Sequence, residues 1–355
     1  MTAELRVLYF EDDANDRNTY ARRLSDGGFR VDAVSPPHDL ALGIVQEQPW
    51  DLFLLDYELT GAQANGEHAN YKGGTLAFAL REHVTDHPVV LFTRPGLVSP
   101  SDQRRLLAAL GVFDELLYKG DVDSDPDTAR ARLRALADGF AQLRASEKTW
   151  AAAIALMGAN EDEGASLQEA APPISDGAWS VGDLASWLRH VLIEFPGILY
   201  GPLYASTALG ISKTAFDLRG VEDRFAPAKY VGAFSQVAER WWRDRLLKVA
   251  LSTIADAGLD GPIYQSFGPA FEKVAGVALE PAVCNDCGET PADAVCFVLN
   301  QPVKTAHSLA YYPDPRPGAM NVARMSFRAI RESNDVDEEL IDPNARHLVA
   351  QIRAG

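Results

Sequence analysis

The stretch Val7-Leu8-Tyr9-Phe10-Glu11-Asp12-Asp13 is an apolar run that stops on three acids. Asp51-Leu52-Phe53-Leu54-Leu55-Asp56 repeats that form, Val89-Val90-Leu91-Phe92-Thr93 stops on a hydroxyl, and Leu116-Leu117-Tyr118-Lys119 stops on a lysine. Short apolar runs bounded by polar residues read as strands buried on both faces, the habit of a parallel sheet. In an open α/β sheet the carboxyl ends of the strands share one rim, so Glu11, Asp12, Asp56, Thr93 and Lys119 are expected to meet in one crevice.

The intervening sequence supports that sheet. Helical patterns fall near residues 16–27, 39–47, 75–83 and 101–110, and further strands near 30–33 and 115–118. Alternation of strand and helix with such connections implies parallel pairing through right-handed crossovers. The chemistry of the rim is also specific. Hard carboxylate oxygens suit Mg²⁺, which keeps several waters and takes phosphate oxygens as well. A carboxylate is a weak nucleophile, yet metal coordination and in-line positioning suffice for phosphoryl transfer.

On these residues, positions 1–124 resemble the receiver domain of two-component response regulators. The resemblance implies a flavodoxin-like fold, a five-stranded parallel sheet in the order 2-1-3-4-5. It implies Mg²⁺ held by Glu11, Asp12, Asp56 and the backbone carbonyl of Glu58, with Asp56 as the phosphorylated residue. Thr93 would turn its hydroxyl to the phosphoryl group and Lys119 would supply a compact positive charge. The implied partner is a sensor histidine kinase or a phosphotransfer protein. Three departures stand out. Residues 61–72 lengthen the segment between Asp56 and Gly73-Gly74, and would overhang the acceptor either as a gate or as an idle surface loop, with His68 beside the phosphoryl group or in solvent. Arg94-Pro95 follows Thr93 where the family has a small residue, so Arg94 would clasp phosphoryl oxygens or block the entrance. Gly120 stands where a proline is usual, and Leu116 holds the place of the switch aromatic, with Tyr118 nearby.

Beyond the receiver-like part, residues 125–160 read as one long connecting helix, with Pro126 suited to its first turn. Leu133, Leu136, Phe140, Leu143, Trp150, Ile154 and Met157 follow steps of three and four, with Glu147 at a polar position, which is the pattern of a coiled coil. The stripe would either pack on its own domain or join two copies as a homodimer through residues 133–157. Residues 161–178 have the composition of an acidic linker. The remainder, 179–355, reads as a mainly helical α+β effector domain, with helices near 180–194, 203–218, 227–257, 269–275, 320–332 and 343–353, a strand near 294–299 and a proline-rich loop at 312–318.

Three motifs in this second region carry possible chemistry. Cys284-Asn285-Asp286-Cys287-Gly288 is a knuckle whose two thiolates would take one face of a tetrahedral Zn²⁺, with Cys296 and His307 completing the set. The alternatives are buried structural thiols, or a redox or nucleophilic cysteine. A Cys296–His307 pair with Asp314 nearby would make the region an enzyme. Ser206, Gly210, Ile211 and Phe216 have the offsets of a weak helix-turn-helix, which would make it a DNA reader near 203–218. Arg240, Arg243, Arg245 and Lys248 make a basic helix face, solvated or phosphate-binding. The aromatics Trp187, Phe195, Phe216, Phe225, Phe234, Trp241 and Trp242 read as core. No P-loop, dinucleotide loop or nucleophile elbow is present.

Composition narrows the partners. The 355-residue chain carries a formal charge of -17, which argues against nucleic acid or an anionic membrane as the main partner. No apolar run approaches the roughly 18 residues of a bilayer span. Neither a signal-peptide layout nor a disulfide framework is evident, since the three cysteines all fall between 284 and 296. The expectation is a cytoplasmic response regulator, phosphorylated on Asp56, whose C-terminal region acts by binding another protein. Beyond handling its own phosphoryl group it is not expected to be an enzyme.

Overall fold

The computed structural model describes residues 4–37, 40, 43–60, 69–94, 112–170, 179–312, 323–332 and 337–354. The chain divides into two compact units, one of residues 1–156 with 174–186, the other of 157–173 with 187–355.

The first unit opens with β1 (Leu5–Phe10), α1 (Ala14–Leu24), β2 (Phe29–Val34), α2 (Gly43–Glu47), β3 (Leu52–Leu55), α3 (Gly73–His83), β4 (Val89–Thr93) and β5 (Glu115–Tyr118). The strands form one parallel sheet in the order 2-1-3-4-5. Side chains alternate between faces with the period of two that strands impose. Leu8, Phe10, Phe53 and Leu55 pack with Leu76 and Leu80 of α3, while Tyr9 and Phe92 turn the other way, and Phe92 meets the rings of both Tyr9 and, in α1, Tyr20 edge-to-face. Both faces of the central strands β1, β3 and β4 are buried, as their apolar sequences require, while the edge strands β2 and β5 are mostly half-buried. Of the expected helices, 101–110 lies outside the described residues, as do residues 61–68 of the lengthened loop. That loop returns through Ala69 and Tyr71, which are packed into the core beside α3.

The helical stretch after β5 departs from one continuous helix over 125–160. It comprises α4 (Lys119–Ser124), α5 (Pro126–Ala145), α6 (Trp150–Met157) and α7 (Glu161–Ala170). The break at residues 146–149 has a local cause. Ser146 adopts an extended backbone, and the Lys148 ammonium turns back to donate to the carbonyls of Leu143, Arg144 and Ser146, closing α5. Thr149 then caps α6 by accepting from the amide of Ala152. α7 occupies the first ten residues of the expected acidic linker. Asn160 and Glu163 explain it: each side chain accepts from the other's backbone amide, at 2.9 and 2.8 Å, which is a capping box. Residues 171–178 lie outside the described part.

α5 belongs to the first unit and packs against α1, α4 and α8 (Val181–Ser186). Leu133, Leu136, Phe140 and Leu143 are each at most 1% exposed there. The part of the apolar stripe in α5 is therefore covered by its own unit, while Trp150 and Ile154 of α6 are half-buried. Over residues 133–143 the heptad packs on its own domain. Arg134 adds a tie by donating to the carbonyls of Gly27 and Gly28 while lying 4.9 Å over the Phe29 ring.

The second unit contains a π-helix (Trp187–Ile193), the two-stranded pair β6 (Leu199–Tyr200) and β7 (Trp241–Trp242), and helices α9 (Pro202–Ala208), α10 (Lys213–Phe216), α11 (Arg219–Phe225), α12 (Arg243–Asp256) and α13 (Ile263–Ala275). A four-stranded sheet follows, ordered β10-β11-β8-β9, from β8 (Ala294–Cys296), β9 (Gln301–Val303), β10 (Ser308–Ala310) and β11 (Arg324–Ser326), with α14 (Phe327–Glu332) and α15 (His347–Ala354). The helix expected over 227–257 starts only at Arg243, because turns and β7 occupy the preceding residues. All seven aromatics read as core are buried. The helix-turn-helix reading fails on geometry. α10 is four residues long, about one turn, too short to lie along a major groove. Ser206, Ile211 and Phe216 are buried, and Gly210 has φ +73° with space for a Cβ only 1.7 Å from the Tyr264 carbonyl oxygen. Those offsets serve helix packing. The basic face is also partly consumed internally: Arg240 donates to the Ile193 carbonyl, and Arg245 grips the buried Glu163 with two nitrogens. Among the described residues, no helix is long and apolar enough to cross a membrane.

Candidate functional site

The register of the first sheet decides which strand ends meet. Phe10 is level with Leu55, so the next residues, Glu11 and Asp56, stand side by side; Thr93 is level with Tyr118, which brings Thr93 alongside the start of α4 at Lys119. Ligand oxygens of Glu11, Asp12 and Asp56 lie within 4.8 Å of one another. Lys119 reaches into this cluster and is 3% exposed. Its ammonium donates to Glu11 Oε2 at 2.6 Å and to Asp16 Oδ2 at 3.0 Å, and stands 3.4 Å from Asp56 Oδ1. The Tyr9 hydroxyl donates to the same Glu11 oxygen at 2.5 Å.

Crowding acids in a dry crevice has an electrostatic consequence. Burial, reinforced by the charge of Glu11, pushes the Asp56 carboxyl up to about 7. Burial likewise raises Glu11, against the pull of Lys119. Burial opposes the charge on Lys119, yet Asp56 and Glu11 overcome it and hold the ammonium above its ordinary value. The cluster thus carries more acid than its one buried lysine balances. A hard divalent cation with oxygen preference fits such a donor set, because Glu11, Asp12 and Asp56 present converging carboxyl oxygens within 4.8 Å of one another.

Backbone fit supports the acceptor. The amide of Asp56 donates to the Phe10 carbonyl at 3.0 Å, and the amide of Gly73 donates to the Tyr57 carbonyl at 2.8 Å. A Cβ on Gly73 would fall 2.1 Å from the Asp56 carbonyl oxygen, so this close approach of α3 requires glycine. Of the residues expected at the site, Glu11, Asp12, Asp56, Thr93 and Lys119 lie at these adjoining strand ends. Glu58 follows two residues on, its side chain engaged by Lys72, so any metal contact from it falls to the backbone. Arg94 clasps Asp16 at 2.8 Å and is half-exposed. His68 lies outside the described residues. Leu116 sits in β5, and Tyr118 leads directly into α4.

Sequence reasoning missed Tyr9, Asp16 and Tyr20. Asp16 bridges Lys119 and Arg94, and its signal was available: an acid in the first turn of the helix that follows an acidic strand end. Tyr20 packs on Phe92 and lies under the Lys119 ammonium at 5.7 Å, a contact that period alone does not reveal.

The first unit has the flavodoxin-like arrangement, a five-stranded parallel sheet in the order 2-1-3-4-5. Solved receivers cover the same N-terminal part of the chain. The response regulator TrrA from Thermotoga maritima, crystallised with Mg²⁺ and BeF, is 21% identical, with 37% of this chain and 98% of that one covered and a TM-score of 0.29. The BeF3-activated receiver of RstA from Klebsiella pneumoniae is 26% identical over 37% of this chain and 97% of its own, with a TM-score of 0.29. A CheY-like receiver from Methanospirillum hungatei is 16% identical over 38% and 98%, with a TM-score of 0.30. No family model matches the chain, and no curated protein matches it by sequence.

The tetrad of Cys284, Cys287, Cys296 and His307 is not brought together as expected. Cys296 is buried at the end of β8, where its sulfur accepts from the amide and hydroxyl of Ser326 and from the Leu299 amide. His307 faces the other way, its donor nitrogen clustering with Cys287 and Glu289. The Cys296–His307 catalytic pair is set aside on the same ground, and Asp314 lies outside the described residues. Glu289 carried no signal of its own, since an acid after a knuckle glycine is ordinary surface composition.

Proposed function

We propose that this chain is a two-component response regulator in which Asp56 accepts a phosphoryl group from a partner histidine kinase or phosphotransfer protein. The observation that supports it most is the cluster of Glu11, Asp12 and Asp56 around the buried Lys119 at the carboxyl rim of a 2-1-3-4-5 sheet. In the transfer, a carboxylate oxygen of Asp56 forms the P–O bond as the P–N bond of the donor phosphohistidine breaks, and the leaving ring nitrogen takes the electron pair, the proton already on the other ring nitrogen making the product a neutral imidazole. Lys119 offsets charge on the acceptor, Glu11 and Asp16 hold its ammonium in place, and the Thr93 hydroxyl would donate to a phosphoryl oxygen. Magnesium held by Glu11, Asp12, Asp56 and the Glu58 carbonyl would neutralise charge spread over the phosphoryl oxygens.

The C-terminal unit is then the output, and it acts by binding another protein. Two observations favour this over the rivals. The one-turn α10 and the net charge of -17 disfavour DNA reading, and the core position of Cys296 suits a structural thiol rather than a nucleophile. The reading places the chain in the cytoplasm, where thiols stay reduced.

Binding of beryllofluoride with Mg²⁺, followed by ¹⁹F NMR, tests the acceptor. Bound fluoride resonances are expected with the natural chain and absent with Asp56→Asn. Resonances that persist in Asp56→Asn would overturn the assignment. Duplex DNA at low salt is expected to leave fluorescence anisotropy unchanged; strong, salt-dependent binding would restore the DNA reading.

A further inference from the structure

We infer that the C-terminal unit binds one zinc ion through Cys284, Cys287, His307 and Glu289, with Cys296 excluded. The four donors come from two adjoining loops. Cys284 and Cys287 lie in a tight turn closed by two backbone hydrogen bonds, Gly288 amide to Cys284 carbonyl at 2.8 Å and Cys284 amide to Glu289 carbonyl at 2.9 Å. Gly288 takes φ +74°, the left-handed conformation that lets the turn fold back. His307 ends the 3₁₀ turn Thr305–His307, its ring against Phe327 at 6.0 Å. Cys287 Sγ, a Glu289 carboxylate oxygen and a His307 ring nitrogen lie within 4.8 Å of one another, and the Cys284 thiol is hydrogen-bonded to that of Cys287.

Three features point to a metal rather than to incidental thiols. First, Cys284 is surrounded by amides: Lys304 donates to its sulfur at 3.3 Å, and the amides of Cys287 and Asp286 do so as well. Backbone amides aimed at the sulfur fix its position in the turn, as the outer contacts of a metal-ligating knuckle do. Second, two sulfurs, an imidazole and a carboxylate are a borderline-soft tetrahedral set, which selects zinc over magnesium or calcium. Third, charge closes. Two thiolates and one carboxylate around a divalent cation leave one negative charge, and Lys304 stands beside it, with Nζ 2.6 Å from Glu289 Oε2. That contact orients the carboxylate and leaves Oε1 for the metal, the arrangement by which outer groups hold ligands. Asp286 is tied to α14 by Arg331 at 2.6 Å, so an ion here would join the knuckle, the 305–307 turn and α14.

The test is titration of the reduced, chelator-treated full-length chain with Co²⁺ and then Zn²⁺. One Co²⁺ per chain with the sulfur-to-cobalt charge-transfer band of two thiolates is expected, displaced by one equivalent of Zn²⁺ with release of thiol protons. Cys296→Ser should leave stoichiometry and band intact. Cys287→Ser, at an exposed position, should keep the far-UV circular dichroism and roughly halve the band; Glu289→Gln should keep the band and weaken affinity about tenfold or more. No metal bound, a Cys284–Cys287 disulfide resistant to reduction by metal-free thiol, unchanged binding in His307→Ala, or loss of the band in a folded Cys296→Ser would each overturn the assignment.

Discussion

Burial, reinforced by the charge of Glu11, favours a proton on Asp56 near neutrality, and that proton bears on stability. The Asp56 carboxyl stands at about 7 in the fold against an ordinary 3.8. Between those values the folded chain keeps a proton that the unfolded chain has lost, so stability falls as pH rises through that window, with a limiting slope of about 1.4 kcal/mol per pH unit. Magnesium bound at this cluster would displace the proton. Calorimetric titration of Mg²⁺ near pH 6.5 in two buffers of different ionisation enthalpy should therefore show proton release, and affinity should climb with pH until about 7. Identical heats in both buffers would contradict the titration assigned to Asp56. Gly73 belongs to the same scale. Gly73→Ala must displace the Asp56 carbonyl from a 2.1 Å clash, at a cost of about 2 kcal/mol or more, and should weaken Mg²⁺ binding together with the midpoint of urea unfolding.

Elements account for what was and was not legible in advance. The strands and their chemistry could be read because buried parallel strands are short apolar words, and Glu11, Asp56, Thr93 and Lys119 each end one. The helices after them could not be bounded, since apolar spacing runs through residues 133–157 without marking where the backbone stops. Lys148 closing α5 and Thr149 opening α6 were the signals, and both resemble ordinary heptad polar positions. The acids of 161–163 looked like linker until Asn160 and Glu163 were seen to cap each other. Glu163 does more than cap: it is 4% exposed and its carboxylate is held by Arg245. Arg245→Met strands that buried carboxylate and should lower stability by about 3 kcal/mol; a midpoint shift of under a third of that would show that water already reaches it.

For the whole molecule, the first unit absorbs α5 into its own packing, which alters how phosphorylation would travel. Leu136 and Phe140 face the receiver rather than a second copy. Leu136→Glu with Phe140→Glu should accordingly unfold the first unit, with loss of the cooperative thermal transition, instead of changing the mass of a folded species. A folded double variant of lower solution mass would bring back the two-copy seam. A phosphoryl group on Asp56 would act first on the contacts nearest to it in the first unit, the Lys119 cluster and α4.

The central claim is that Asp56 is the phosphoacceptor. The most direct measurement is intact and peptide mass spectrometry after incubation with acetyl phosphate and Mg²⁺, with borohydride used to trap the acyl phosphate. One phosphoryl group per chain, mapped to Asp56 and absent from Asp56→Asn, is the expected result. A chain that stays unmodified, or one that is still modified in Asp56→Asn, would contradict it.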